Sequence, residues 1–243
     1  MKYLSFANPV LKNVAREFLV TAIDLSISMD KNDWKPSRKA GAVNANTELI
    51  EVKAQYHPQD RVGIVGFGTK AGILHEPVCL ADGMKSLRIA LEKPPGMGRT
   101  NFTAALTLAE ACLFGKTVSA GNGIGRKITG IFSQLLYDPP SQHSHPTEGT
   151  SPGNNCLRRI ILLTDGAHNE GGSPLQVASR LKKAGVVIDC IGIGGNPEAV
   201  NESILKEIAS RNPGDGSIRY CFIGDQQELI RRYESLAHHI RPV

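Results

Sequence analysis

Residues 17–24 read EFLVTAID, a mostly apolar run that ends at an aspartate. Such a run is typical of a strand buried on both faces of a parallel sheet. The chain continues as DLSISM at residues 24–29, so Asp24, Ser26 and Ser28 occupy every second position. Because side chains two residues apart in extended chain project to the same side, these three can converge beyond the strand end. The stretch therefore predicts a central strand with an oxygen cluster at its carboxyl end.

Strand and helix patterns alternate along the rest of the chain. Further strands are expected at residues 61–67, 71–78, 159–163, 186–193 and 218–223. Helices are expected at residues 38–56, 102–114, 174–184, 198–210 and 226–237. The strands at 61–67 and 71–78 meet at Gly68, close enough for a hairpin and one antiparallel edge strand. The pattern predicts an α/β fold: a doubly wound, mainly parallel six-stranded sheet with helices on both faces.

The composition fits one globular domain over residues 1–243, with 41% hydrophobic and 21% charged residues. A segment at about 115–157 is much longer than an ordinary connection, and we interpret it as an insertion. Within it, one apolar stripe has helical spacing (Ile128, Ile131, Phe132, Leu135 and Leu136), and residues 139–155 have the composition of a loop. The preceding helix runs away from the oxygen cluster and the following strand runs toward it. We therefore expect the insertion at the opposite end of the sheet.

Charge and cysteine content limit the functional classes. The net charge of +5 permits nucleic-acid or acidic-protein partners, but aromatic residues make up only 5% of the chain, so nucleic-acid binding is not favoured. The five cysteines are scattered without a CxxC pair, which predicts reduced and mostly buried thiols. The chain has no apolar stretch typical of a signal segment or a membrane span. We expect a cytoplasmic protein.

Two further oxygen-bearing residues follow strand or loop signals of their own. Asp165 ends the run LLTDG, at a strand end where open α/β sheets bind ligands. Thr100 lies in the loop GMGRTN at residues 96–101, just ahead of a predicted helix. Each has an ordinary structural interpretation, because aspartate and threonine also cap helices and fill turns. The same holds for the aspartate and serines of DLSIS.

The chain resembles the von Willebrand factor A domain family. That family has a metal-ion-dependent adhesion site written as DxSxS after the first strand, a threonine in a glycine-containing loop, and an aspartate after the fourth strand. The corresponding residues here are Asp24, Ser26 and Ser28, then Thr100, then Asp165. The resemblance covers residues 17–237 and departs mainly at the insertion. It points to a stand-alone intracellular member of prokaryotic type.

The resemblance implies a divalent cation bound by these five residues. Ser26, Ser28 and Thr100 would reach the ion directly or through water, and Asp24 and Asp165 often act through water. Hydroxyl and carboxylate oxygens suit Mg²⁺ or Mn²⁺, and the carboxylates are too few for a Ca²⁺ cage. A partner protein would then offer an Asp or Glu as the last ligand. Basic residues in the flanking loops fit such a partner (Lys31, Lys35, Arg38, Lys39 and Arg99), although Asp30 and Asp33 make a solvated mixed-charge loop the simpler interpretation.

The leading hypothesis is a non-enzymatic, metal-dependent protein-binding module, since no nucleophile and base pair is recognisable near the site. One alternative is a Mg²⁺-dependent phosphoryl-transfer enzyme that uses Asp24 as nucleophile, as haloacid-dehalogenase-like phosphatases do. Those enzymes need a second acid two residues later, where this chain has Ser26. The other alternative is an RNA-binding module, although no RNA-binding motif stands out.

Overall fold

A computed structural model describes residues 16–115 and 156–238. Within these ranges the strands are β1 (Arg16–Asp24), β2 (Arg61–Phe67), β3 (Ala71–Cys79), β4 (Cys156–Thr164), β5 (Val186–Ile193) and β6 (Tyr220–Ile223). The helices are α1 (Arg38–Tyr56), α2 (Leu80–Glu92), α3 (Phe102–Phe114), α4 (Pro174–Lys183), α5 (Glu202–Ile208) and α6 (Gln226–Leu236). Two short 3-10 turns, Ile27–Asp30 and Pro197–Ala199, lie in the connections.

The strands form one sheet in the order β3-β2-β1-β4-β5-β6. All neighbouring pairs are parallel except β2 and β3, which pair antiparallel at one edge. This arrangement confirms the predicted six-stranded, mainly parallel sheet with one antiparallel edge strand. In the centre, β1 pairs with β2 through Leu19↔Val62 and with β4 through Leu19↔Arg159.

Each face of the sheet carries a separate apolar core because side chains alternate along every strand. Phe18, Val20 and Ala22 of β1 pack into one core with the buried residues of α3, α4 and α5. Leu19 and Ile23 of the same strand pack into the other core with those of α1, α2 and α6. Helices therefore cover both faces, as the doubly wound pattern predicts.

The strand order places the topological switch point between β1 and β4. The chain passes from β1 to β2 on one side and later returns to β4 on the other side. The connections after two adjacent strands then diverge to opposite faces, which leaves a crevice at their carboxyl ends. Asp24 and Thr164, the last residues of β1 and β4, lie at that crevice.

Several element boundaries differ from the prediction. Helix α2 is absent from the predicted elements, because only Leu80, Leu87 and Leu91 form its apolar stripe and Cys79 makes no side-chain cap. Strand β4 begins three residues early, at Cys156, and β6 two residues late, at Tyr220. The expected helix at 198–210 is shortened to α5, since a 3-10 turn precedes it and Asn201 caps it.

All five cysteines are free, but only Cys112 and Cys190 are fully buried, so the expectation of mostly buried thiols is met in part. Among the described residues no helix is both long and apolar enough to cross a membrane.

The predicted helical stripe at 128–136 and the loop at 139–155 lie outside the described residues. The two residues that flank the insertion, Phe114 and Arg158, are described, and both lie at the end of the sheet opposite the crevice. Phe114, which ends α3, packs its ring 5.0 Å from the guanidinium carbon of Arg158 at the start of β4. The single-domain extent over residues 1–243 stays a prediction.

Candidate metal centre

Asp24 is fully buried at the end of β1, and both of its carboxylate oxygens accept hydrogen bonds. The backbone N–H of Ser26 donates to Oδ1 at 2.8 Å, and the hydroxyl of Thr164 donates to Oδ2 at 2.6 Å. These bonds come from the loop after β1 and from the end of β4, so they fix the carboxylate at the junction of the two strands. Each oxygen retains further lone-pair capacity for a cation.

The two serines connect Asp24 to Asp165. The Ser28 hydroxyl donates to Oδ1 of Asp165 at 2.7 Å, and the hydroxyl oxygens of Ser26 and Ser28 lie 3.0 Å apart. The 3-10 turn that starts at Ile27 brings Ser28 back over the strand end. Three of the predicted residues and the second aspartate therefore lie together.

Thr100 joins this group from the loop before α3. A methyl group built on Gly166 would lie 3.3 Å from Oγ1 of Thr100 and 3.9 Å from Oγ of Ser28. The two hydroxyls thus face the same small space beside Gly166, directly after Asp165. The structure therefore brings all five sequence-predicted residues to one point.

The capping interpretation of these residues does not hold in the described structure. Helix α3 is capped by Asn101, whose side chain accepts from Ala104 N–H, and not by Thr100. Ser37 caps α1, whereas Ser26 makes no side-chain capping bond to its 3-10 turn. The oxygens of the cluster are therefore not engaged as helix caps.

The loop at residues 96–101 is held by backbone hydrogen bonds to the loop after β1. Met97 N–H donates to the Leu25 carbonyl at 2.8 Å, and Ile27 N–H donates to the Gly98 carbonyl at 2.9 Å. Gly68 touches the loop from the β2–β3 turn, where an added Cβ would lie 2.1 Å from the Met97 carbonyl oxygen. This contact requires glycine, because no real Cβ fits at that distance.

The loop after β4 fixes Thr100 from the other side. Thr100 N–H donates to Oδ1 of Asn169, and Asn169 N–H donates to the Thr100 carbonyl, each at 3.1 Å. His168 stacks on the Phe102 ring with 5.4 Å between ring centres. Its Nδ1 accepts from Phe102 N–H at 3.2 Å, so the ring hydrogen is on Nε2, which donates to the Gly172 carbonyl at 3.0 Å.

Arg38 has a different place from the one predicted. It was expected in a solvent-exposed rim, but it is buried, and Nη1 donates to Oδ2 of Asp165 at 2.8 Å. Its Nε donates to both oxygens of Asp33, at 2.9 Å and 3.1 Å. The guanidinium holds the pKa of Asp33 below its usual range through these hydrogen bonds. Arg38 therefore holds Asp165 in place through Oδ2, the oxygen that does not accept from Ser28.

The remaining flanking charges support the mixed-charge interpretation of these loops. Lys39 pairs with Asp30, and Arg99 lies 3.7 Å from Glu170. Lys31 and Lys35 are exposed. Ile27, between the two serines, is 74% exposed, so the surface over the site includes a large apolar side chain.

Burial raises the pKa of Asp24 to about 6. Hydrogen bonds from Ser26 and Thr164 oppose this effect, and the nearby charge of Asp165 adds to it. Taken with Asp33 and Arg38, the centre holds three carboxylates and one guanidinium, which leaves two negative charges when all are ionised. A divalent cation would balance that charge.

The donor set fits a hard dication. No group of three His, Cys, Asp or Glu side chains suited to a metal occurs in residues 16–115 and 156–238, so hydroxyl oxygens are needed to complete any site here. Two carboxylates and three hydroxyls are hard oxygen ligands, which Mg²⁺ and Mn²⁺ prefer. Softer metals prefer nitrogen and sulfur ligands.

Three supporting residues were not identified from the sequence: Thr164, Asn169 and Asp33. Thr164 stands in the quoted LLTDG, but its bond to Asp24 depends on the parallel register that pairs Ile23 with Leu163. That register joins residues about 140 positions apart, and no local pattern encodes it. Asn169 and Asp33 lie in loops, where spacing carries little information on contacts.

Comparisons with known proteins agree with this geometry. The sequence matches a family model described as von Willebrand factor type A domain over residues 19–168, and a second model with that description over residues 141–230. No curated protein has a matching sequence.

Solved structures share the fold. A von Willebrand factor type A protein from Catenulispora acidiphila has 16% identity and a TM-score of 0.63, over 93% of this chain and 42% of its own. Proximal thread matrix protein 1 from the mussel byssus, solved with a zinc-occupied MIDAS motif, has 18% identity and a TM-score of 0.63, over 92% and 47%. BatB from Bacteroides thetaiotaomicron has 20% identity and a TM-score of 0.57, over 92% and 98%.

This chain spans less than half of the first two proteins, and likeness at these identities concerns the fold. The family model covers more than half of the 243 residues, including most of the first strand, the loop with Thr100, and Asp165. The chain belongs to the von Willebrand factor type A domain family.

Proposed function

We propose that this chain is a non-enzymatic, metal-dependent protein-binding module. Asp24, Ser26, Ser28, Thr100 and Asp165 would hold one Mg²⁺ or Mn²⁺ at the carboxyl ends of β1 and β4. The observation that carries the proposal is the convergence of these five side chains at one point while other residues cap the neighbouring helices. The zinc in the related mussel protein supports a divalent cation at a motif of this kind.

The hydrogen bonds leave the oxygens ready for a cation. Ser28 gives its proton to Asp165, so its lone pairs are available for metal coordination. Thr164 and the Ser26 N–H hold Asp24, and Arg38 holds Asp165, so neither carboxylate has to reorient when an ion binds. The bound ion would supply a Lewis-acidic position for an incoming carboxylate.

We propose that the partner contributes an Asp or Glu side chain, with an apolar residue beside it. An acidic oxygen suits this ion, because three of the five proposed ligands are neutral hydroxyls and a carboxylate would complete the coordination shell with a hard oxygen. The exposed side chain of Ile27 offers the apolar contact, and apolar groups near a charged anchor are typical of protein interfaces.

The residue two positions after Asp24 favours a binding role over the phosphoryl-transfer alternative. Ser26 stands where a phospho-aspartate enzyme of the dehalogenase type needs its second acid. Both ring nitrogens of His168, the nearby imidazole, are engaged with Phe102 and Gly172. We further propose a prokaryotic-type protein in the cytoplasm, where five free cysteines would stay reduced.

Mn²⁺ titration of the purified chain tests the metal site. We expect one saturable site in the wild type and none in Asp24→Ala, which loses a central carboxylate. Asp30→Ala is the matched control, because it removes an exposed carboxylate from the same loop and should bind Mn²⁺ like the wild type. Normal Mn²⁺ binding by Asp24→Ala would refute the assignment.

Partner capture tests the binding role. A protein retained from native lysate by the wild type and Asp30→Ala in Mg²⁺, but lost with chelator or with Asp24→Ala, is the expected result. Retention of the same protein with chelator and by Asp24→Ala would argue against metal-dependent binding. Turnover of a generic phosphoester that disappears in Asp24→Asn would instead favour the phosphoryl-transfer alternative.

A further inference from the structure

A second cleft lies at the end of the sheet opposite the metal centre, where the parallel strands begin. It is formed between the end of α6 and the loop that enters β6. Its volume is about 360 Å³ and its lining is mostly polar. Three arginines line it, Arg159 from β4, Arg219 just before β6 and Arg232 from α6. Asn212 and Ser235 add neutral polar groups to the same wall.

Arg159 is almost completely buried and anchored on one side only. Its Nε donates to Oδ2 of Asp189 at 2.6 Å, and its Nη1 donates to the Leu236 carbonyl at 2.9 Å. Glu17 lies 3.5 Å from the same Nη1. Nη2 donates no hydrogen bond to any residue in the described part of the chain. A rigidly held guanidinium therefore keeps one donor group unused.

Arg219 and Arg232 are held less tightly by acidic groups. Nη1 of Arg219 is 3.6 Å from Oδ1 of Asp189, too far for a hydrogen bond. Nε of Arg232 is buried without a hydrogen-bond partner in the described structure, and its guanidinium lies near the Cys221 thiol. Glu228, one helical turn earlier, forms no ion pair with Arg232 within residues 16–115 and 156–238.

The three guanidinium groups are close enough to affect one another. Burial lowers the pKa of Arg219, Asp189 opposes this shift, and the positive charges of Arg159 and Arg232 add to it. The connected buried cluster also contains Lys53, which donates to Glu17 at 2.6 Å and to Asp60 at 2.7 Å. In the described part of this cluster, four bases therefore face the three acids Glu17, Asp60 and Asp189, an excess of one positive charge, and the three arginines line the cleft.

We propose that this cleft binds the phosphate group of a small phosphorylated molecule. Guanidinium groups match phosphate oxygens with paired N–H donors, and they are preferred over lysine where planar recognition is needed. The volume is at the lower end of small-molecule sites, which leaves room for an organic group beside one phosphate. Ser235 lines this space, and so does Ser217, whose hydroxyl already donates to Asp215.

Calorimetric titration of the full chain with inorganic phosphate, pyrophosphate and phenyl phosphate, at constant ionic strength, tests this site. We expect saturable binding of one equivalent, unchanged by chelator and by Asp24→Ala. Arg232→Gln should weaken the Kd about tenfold or more, since it removes a charge-assisted contact. Arg219→Gln should do the same.

Arg231→Gln is the matched control, because it removes the same charge from an exposed neighbour and should change the Kd less than twofold. An equal loss in Arg231→Gln would mean non-specific attraction and overturn the proposal. It would also fall if none of the three anions bound saturably, or if Asp24→Ala abolished the binding. Far-ultraviolet circular dichroism checks that each variant is folded. If Arg219→Gln does not fold, the Kd of Arg232→Gln alone tests the proposal.

Discussion

Asp24 is a single carboxylate in which burial and metal binding oppose each other. Its folded-state pKa of about 6 lies above the value near 4 of an aspartate in an unfolded chain. Between these two pH values the metal-free folded chain binds more protons than the unfolded chain, so its free energy of unfolding falls as pH rises. The stabilisation is complete below pH 4 and lost above pH 6. A dication at neutral pH would offset this cost.

Asp24→Asn should therefore stabilise the metal-free chain at pH 7 by up to about 3 kcal/mol while it abolishes Mn²⁺ binding. The amide has nearly the same shape, can accept from Ser26 N–H and can donate to the Thr164 hydroxyl, and carries no buried charge. Urea unfolding in chelator, at pH 4 and pH 7, measures the effect. The difference between the two proteins should be near zero at pH 4. A variant that is less stable than the wild type at pH 7 would contradict this account.

At the scale of residues, the five proposed ligands were predictable, and the groups that hold them were not. Asp24, Ser26 and Ser28 follow from side-chain alternation in one strand, a purely local property. Arg38 stands at the start of a predicted helix, next to the loop after β1, but it is buried against Asp165, 127 residues away in the chain. Such a contact depends on how α1 docks on the sheet. A basic residue near a predicted site can therefore be part of its support and not of its rim.

Among the elements, the loop at residues 96–101 controls the position of Thr100. It has no regular structure, and its backbone is fixed by bonds to the loop after β1, by Asn169 and by contact with Gly68. The site is therefore completed by docking of a loop, and a change of one backbone contact should move the hydroxyl away from the ion.

Gly68→Ala should displace this loop, because the new Cβ would lie 2.1 Å from the Met97 carbonyl oxygen. We expect at least about tenfold weaker Mn²⁺ binding and a loss of about 1–3 kcal/mol in the free energy of unfolding. Gly96→Ala is the matched control, because Gly96 lies in the loop at residues 96–101 itself and a Cβ there meets nothing within 4 Å. Mn²⁺ titration and urea unfolding of both variants measure the contrast. Equal effects at the two positions would show that the Gly68 contact does not position the loop.

The elements that were predicted are those with strong apolar patterns. The strands read as buried runs because they lie between two layers of helices, and their mainly parallel pairing followed from the alternation of strand and helix. Helix α2 was missed because three leucines make a narrow stripe and its start lacks a side-chain cap. It packs at the edge of the core beside β3, where a helix needs few apolar residues.

For the whole molecule, the direction of the strands separates two chemically different ends. The parallel strands all finish at one end of the sheet, and Asp24 and Asp165 make this end acidic. The cluster of Arg159, Arg219 and Arg232 lies at the opposite edge, and the apolar cores of both faces stand between the two. Arg159 and Asp165 are six residues apart along β4, about 20 Å in extended chain, so direct electrostatic interaction between the two sites is weak. We therefore expect the two sites to bind their ligands independently.

The described residues that flank the insertion lie at the second of these ends. Helix α3 begins beside Thr100 and extends 13 residues, about 20 Å, away from it, and β4 covers nine residues on the way back to Thr164. The contact between Phe114 and Arg158 shows that both flanks meet at the far edge. A short connection would suffice between these flanks, so the chain does not have to cross the metal site to join α3 to β4.

Deletion of residues 139–155, with a short Gly/Ser bridge, should therefore leave the Kd for Mn²⁺ within about twofold of the wild type. Loop-closure free energy changes slowly with loop length, so the shortened chain should still fold. Mn²⁺ titration checks the affinity, urea unfolding checks cooperativity, and the same deletion combined with Asp24→Ala provides the non-binding control. If the shortened chain unfolds cooperatively yet binds Mn²⁺ tenfold more weakly, the insertion must reach from the far edge to the metal site. In that case the separation of the two ends inferred from the flanks would be wrong.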